Sequence, residues 1–259
     1  MADNSLNENI ESEGEETQKE MGFLDHLEEM RKRIIYSVIS IILGCIVAGI
    51  FIDELMNFIL LMPATNSNLS LQNLRPFGQP FLYFKVVLIV GIIISFPFML
   101  YQLWKFIAPG LYKNEKRWVR YITFFTSFCF FAGVFFSYFV MIPSMLAFAS
   151  SFGTEKIKNI IDINEYFSFV TMILLAAGLL FELPMVSFIL SRVGILTPKF
   201  LRKYRRHSII IILILAAILT PTPDPISQLI FASPLFVLYE ISIFISKIAA
   251  KSYEKANKI

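Results

Sequence analysis

The sequence predicts an all-α polytopic membrane protein of six transmembrane helices with both termini cytoplasmic. Three observations predict it. Of 259 residues, 56% are hydrophobic, 15% aromatic and only 17% charged, and the apolar residues gather into long blocks. Six such blocks can be marked, at roughly 34–52, 81–106, 119–143, 166–191, 207–222 and 226–246. About 20 residues cross a ~30 Å hydrocarbon core, and they cross as helices because a bilayer offers no partners to unpaired backbone groups. Finally, Lys and Arg alternate between the segments that join the blocks. One side collects Arg31–Arg33, then Lys113, Lys116, Arg117 and Arg120, then six between Arg192 and Arg206, then Lys247, Lys251, Lys255 and Lys258; the other has Arg75, Lys156 and Lys158. Short loops with this bias place the basic side in the cytoplasm.

Residues 1–20 precede the first block. They carry Asp3, Glu8, Glu11, Glu13, Glu15, Glu16 and Glu20 against the single basic residue Lys19, and read as a disordered acidic cytoplasmic tail. They lack the basic start and apolar core of a signal peptide. The membrane domain, 21–246, opens with HLEEMRKR (26–33). Phe23, Leu27, Met30 and Ile34 recur at helical spacing, which predicts an amphipathic surface helix over 22–33. On it Glu28 faces Lys32 and Glu29 faces Arg33 at i,i+4 in the favourable order. Exposed pairs of this kind stabilise little; the alternative is that a carboxylate here receives a cation from outside the chain.

The second block leads into LWKFIAPGLYKNEKR (103–117), where Glu115 is the one acid among Lys105, Lys113, Lys116 and Arg117. Pro109-Gly110 predicts a turn, and Trp104, Phe106 and Tyr112 suit the interface. Glu115 either dampens repulsion among its neighbours or, with the glutamates of the first helix, offers a second carboxylate to guanidinium groups. The fourth block contains Glu182 in FELP (181–184). An ionisable group at that depth costs ~3 kcal/mol on insertion scales and is a functional candidate. Lys85 and Glu240 are weaker cases, since either could snorkel to an interface.

The fifth and sixth blocks are short, so spanning them calls for local thinning of the bilayer or for one re-entrant hairpin. PTPDP between them predicts a stop, with Asp224 in the turn and Gln228 one helical turn later. Residues 247–259 are a basic cytoplasmic tail. Pro97, Pro143, Pro184 and Pro234 fall within spans and predict bent helices, because each removes a backbone donor.

Cys45 and Cys129 lie inside apolar runs and read as small buried hydrophobes. His26 and His207 are isolated, so no metal-ligand spacing exists. Nucleophile–base pairings, HExxH, GxSxG and phosphate-cradling glycine loops are missing. An enzyme is not predicted, nor a cofactor.

HLEEMRKR, LYQLWKFIAPGLYKNEKR (100–117), FELP and LTPTPDPISQ (219–228) follow one another in this order. Together they resemble the TatC family, the multispanning receptor subunit of the twin-arginine protein translocase. The family's turn is commonly the shorter Leu-Thr-Pro-Pro-Asp. The resemblance implies a cup-shaped bundle of six kinked helices that binds signal peptides bearing consecutive arginines. It implies that Glu29 and Glu115 recognise those arginines, with Arg31, Phe106, Pro109 and Leu111 as neighbouring matches. Glu182 matches an acid of the concave face that meets partner subunits or the inserted signal peptide. Asp224 and Gln228 match positions of assembly with the single-span TatA and TatB subunits. It implies self-association into a multimeric receptor complex in a prokaryotic inner membrane, export of folded proteins on the proton-motive force, and no nucleic-acid partner. A proton-coupled small-solute transporter using Glu182 is the competing reading.

Overall fold

The computed structural model describes the backbone over residues 2–65, 70–111, 116–151, 160–192, 194–219 and 225–256. The chain runs α1 (Ala2–Ile50), α2 (Ile52–Leu55), a π-helical turn (Met56–Leu61), α3 (Met62–Thr65), β1 (Ser70–Gln72) and α4 (Gly78–Leu111). It continues through α5 (Lys116–Phe136), a second π-helical turn (Ser137–Met141), α6 (Ile142–Ser151), β2 (Ile160–Asp162) and α7 (Ile163–Leu180). α8 (Leu183–Arg192), α9 (Pro198–Lys203), α10 (Arg205–Leu219) and α11 (Pro225–Ala256) complete it.

Five described helical stretches are long and apolar enough to cross a membrane: His26–Ile50, Gly78–Phe106, Arg120–Ser151, Ile163–Arg192 and Gln228–Ala250. They cover five of the six expected blocks. The remaining block is α10, whose 15 residues reach only about 22 Å at helical rise. The last block, expected to be short, is instead part of the 32-residue α11. Its Ser242, Ser246 and Ala249 are buried, so a hydropathy count underrates a face that packs on protein.

The remaining features of the backbone are local. Helix α1 begins at Ala2. The backbone there continues the register of the first span. Pro109-Gly110, expected as a turn, lies in the last turn of α4. The all-α architecture carries one small addition, β1 and β2 pairing in parallel with Ser70, Leu71 and Gln72 opposite Ile160, Ile161 and Asp162.

The prolines act differently at each site. Pro184 cannot donate to the carbonyl one turn back, and the helix breaks there: Glu182 N–H bonds Leu179 O at 3.1 Å, a tightened turn, before α8 restarts. Pro143 follows the second π-helical turn. Pro97 and Pro234 sit within continuous α4 and α11. The two π-helical turns meet, as Tyr138 donates its hydroxyl to Phe58 O and stacks on the Phe58 ring at 5.2 Å.

Packing is by close approach of small residues, the usual solution where hydrocarbon surrounds the bundle. α1 lies along α4 with Gly44 against Gly91, α5 meets α7 at Gly133 and Gly178, and α8 meets α11 through a buried Ser191–Ser246 hydrogen bond of 2.6 Å. Leu82, Val86, Ile142, Val170, Ile173 and Phe231 lie in the shared core. Isoleucines of α1 and α10, such as Ile42, Ile46, Ile210 and Ile218, point outward, as lipid-facing residues do. Cys45 and Cys129 are free thiols.

At the end of the bundle where α7 begins, Asp162 caps the helix by accepting from Asn164 N–H at 2.7 Å. That bond, made to the charged form, holds the Asp162 carboxyl below its ordinary value. Gly78 starts α4 against Asn73 and Asn164, where a Cβ would overlap both side chains.

Candidate functional site

The stretch Glu28–Arg33 of α1 carries the two pairs the helical spacing predicts. Lys32 Nζ lies 2.7 Å from Glu28 Oε1, with both side chains more than 60% exposed. Arg33 Nη2 donates to Glu29 Oε1 at 2.7 Å, but its side chain is only 18% exposed and that of Glu29 is 35% exposed. The difference comes from α4. Because α1 lies along α4, the guanidinium tucks between them, and Arg33 Nη1 donates to Gln102 Oε1 at 3.2 Å. Gln102 is itself buried, and Arg33 Nε is enclosed without a hydrogen-bond partner.

A groove of about 480 Å3 opens beside this chain of contacts, lined by Glu28, Glu29, Lys32, Arg33, Tyr36 and Lys105. One helical turn below, His26 stacks on Phe106 with ring centroids 4.5 Å apart and planes 19° from parallel. The neighbouring part of α4 is fixed from the other side, where Trp104 Nε1 donates to buried Thr126 Oγ1 at 3.3 Å. Rigid walls matter here, because a carboxylate recognises a planar guanidinium only when both are held in register.

The expected site residues therefore divide. Glu29 lines the groove and Phe106 adjoins it through His26; Arg31 is exposed on α1. Pro109 and Leu111 belong to the last turn of α4, and their side chains are outside the described residues. So are Glu115 and Asp224. Gln228 is elsewhere, bonding α11 to α10 through Nε2 to Leu213 O at 3.0 Å. Glu182 is also apart from the groove, 9% exposed at the α7–α8 break, and its Oε1 has no hydrogen-bond partner. Glu240, a weak candidate in sequence, pairs with Arg205 and so joins α11 to α10.

Sequence reasoning missed Gln102, Tyr36 and Lys105. The signal for Gln102 was an uncharged amide in LYQLW, inside a span where an unpartnered amide is costly. Among the described residues no group of three or more His, Cys, Asp or Glu could hold a metal.

Long apolar helices with outward isoleucines define a multi-pass membrane protein, and the polar groove lies among its basic residues. Residues 25–234 match the family profile described as Sec-independent protein translocase protein (TatC). A TatC of Carboxydothermus hydrogenoformans is 40% identical over 88% of this chain and 94% of its own. TatCy of Bacillus subtilis is 34% identical over 92% of each. The crystal structure titled twin arginine translocase receptor TatC is 36% identical, superposes with a TM-score of 0.73, and covers 86% of this chain and 99% of that one. This chain belongs to the TatC family of Sec-independent protein translocase proteins, a non-enzymatic transport family.

Proposed function

We propose that this protein is the twin-arginine signal-peptide receptor and core assembly platform of a translocase that exports folded proteins on the proton-motive force. It sits in the inner membrane of a prokaryote, with six spans and both termini cytoplasmic. The observation that carries the reading is Glu29, held at the groove on the basic end of a chain whose family is established. Glu29 and Glu115 each engage one guanidinium of the signal, with Arg31, Phe106, Pro109 and Leu111 around them. Arg serves where Lys does not, because bidentate pairing needs a planar fork. Glu182 faces the inserted signal or a partner helix. Asp224 and Gln228 serve assembly with TatA- and TatB-like subunits, and copies of the chain associate into a multimeric receptor.

The test is site-specific photocrosslinking to a twin-arginine precursor. Glu29→Ala and Glu115→Ala each weaken crosslinking; undiminished crosslinking in both refutes the assignment. A second reading draws on the buried, unpartnered Glu182 Oε1: a proton-coupled solute transporter. It requires the purified chain alone in liposomes to carry a flux that Glu182→Gln abolishes. The receptor reading expects none.

A further inference from the structure

Glu29 is occupied before any peptide arrives. Its Oε1 accepts from Arg33 at 2.7 Å, while Gln102 holds the same guanidinium from the opposite side at 3.2 Å. Glu28 is likewise paired with Lys32 at 2.7 Å. The six side chains lining the groove include two carboxylates, Glu28 and Glu29, and three cations, Lys32, Arg33 and Lys105. A guanidinium that pairs with both oxygens of Glu29 takes Oε1 in place of Arg33.

We propose that Arg33 is a built-in competitor for Glu29, aimed by Gln102, and that a signal peptide seats by exchanging its guanidinium for that of Arg33. The inference rests on the groove being the signal-peptide site and concerns how that site rejects lysine. Exchanging one guanidinium for another keeps the charge-assisted bond to Glu29 and its planar geometry. An ammonium is a compact, strongly hydrated point charge that cannot reproduce the fork, so it loses the exchange. Were Glu29 unoccupied, either cation would gain a new ion pair and the difference between them would shrink.

Two details of the resting pose fit a group that must be firmly placed yet able to leave. Gln102 fixes Nη1 without adding charge, so Nη2 stays directed at Glu29. Arg33 Nε is enclosed with no partner, and a donor left unsatisfied makes the resting position less stable than a fully bonded one.

The experiment uses the full-length protein in lipid nanodiscs and a fluorescently labelled twin-arginine signal peptide beside its double-lysine counterpart. Wild type binds the arginine peptide preferentially. Arg33→Gln strengthens binding of the lysine peptide about tenfold and of the arginine peptide by less, so the preference narrows. Arg33→Lys keeps the charge and narrows it partly. Gln102→Leu changes no charge and narrows it in the same direction, which keeps the test decisive if Arg33→Gln fails to insert. An unchanged preference in Gln102→Leu and in whichever Arg33 variant folds overturns the inference, as does parallel weakening of both peptides, which would make Arg33 only a support for Glu29. A wild type that binds neither peptide overturns the receptor reading itself.

Discussion

The seam between α1 and α4 can be tested by adding one methyl group. A Cβ on Gly44 would stand 2.5 Å from Gly91 O, and one on Gly91 would stand 2.5 Å from Cys45 Sγ and 2.8 Å from Cys45 N. Ordinary contact begins at 3.4 Å, so Gly44→Ala must move the helices apart by roughly 0.9 Å, and a radial gap of that size forfeits a quarter to a half of each pair's dispersion energy. The opposing atom is backbone, so no side chain can turn aside. α1 lies along α4 and touches little else, so it has no other packing to fall back on. Overpacking of this kind costs about 1–3 kcal/mol, which lowers the melting temperature of a chain this size by about 2–12 °C. Thermal unfolding in detergent, followed by tryptophan fluorescence, reads the shift. Gly91→Ala behaves alike, and the double variant costs less than the two singles together, because helices already parted by one methyl have room for the other. A melting temperature within about 1 °C of wild type for Gly44→Ala, or strict additivity in the double variant, refutes the close-approach argument.

Two further outcomes follow from the polar contacts. Asp162→Ala removes the cap of α7 and weakens the end of the bundle that carries β1 and β2. Because the folded Asp162 carboxyl is held below its ordinary value of 3.8, the cap's contribution is complete above that pH. It is lost as pH falls through the lowered folded value, so acid-melting curves of wild type and Asp162→Ala diverge above about pH 4 and converge below it. Ser191→Ala or Ser246→Ala alone strands a buried hydroxyl and costs about 1–3 kcal/mol, whereas Ser191→Ala with Ser246→Ala costs less than either. Denaturation of the four proteins in one detergent checks the order.

Much of this architecture was legible in the sequence, and the reasons for the remainder are physical. Hydropathy finds spans because every residue facing lipid must be apolar, and the i,i+4 rule finds Glu28–Lys32 and Glu29–Arg33 because both partners lie on one helix. The third member, Gln102, is 69 residues from Arg33, and no local rule links them. Strand pairing between β1 and β2 was equally hidden, since three-residue strands carry too few positions for a period. The turn expected at Pro109-Gly110 instead falls within the last turn of α4, so the local pair does not by itself end the helix. The length of α11 was underestimated because Ser242 and Ser246 lower the hydropathy of a face that is buried against α8. Glu182 stood out from its depth in the sequence, but the break that carries it depends on Pro184 two residues later.

The β1–β2 pair also dates a step in biosynthesis. Ser70 and Ile160 face each other across about 90 residues of intervening chain, as their numbering shows. Translation at about 5–20 residues per second takes roughly 5–18 s to deliver the second strand after the first. Through that interval β1 has no strand partner, while α4, α5 and α6 are threaded into the bilayer. The sheet can close only after the chain between its strands has been made, so its closure comes late among the contacts of the first half of the bundle.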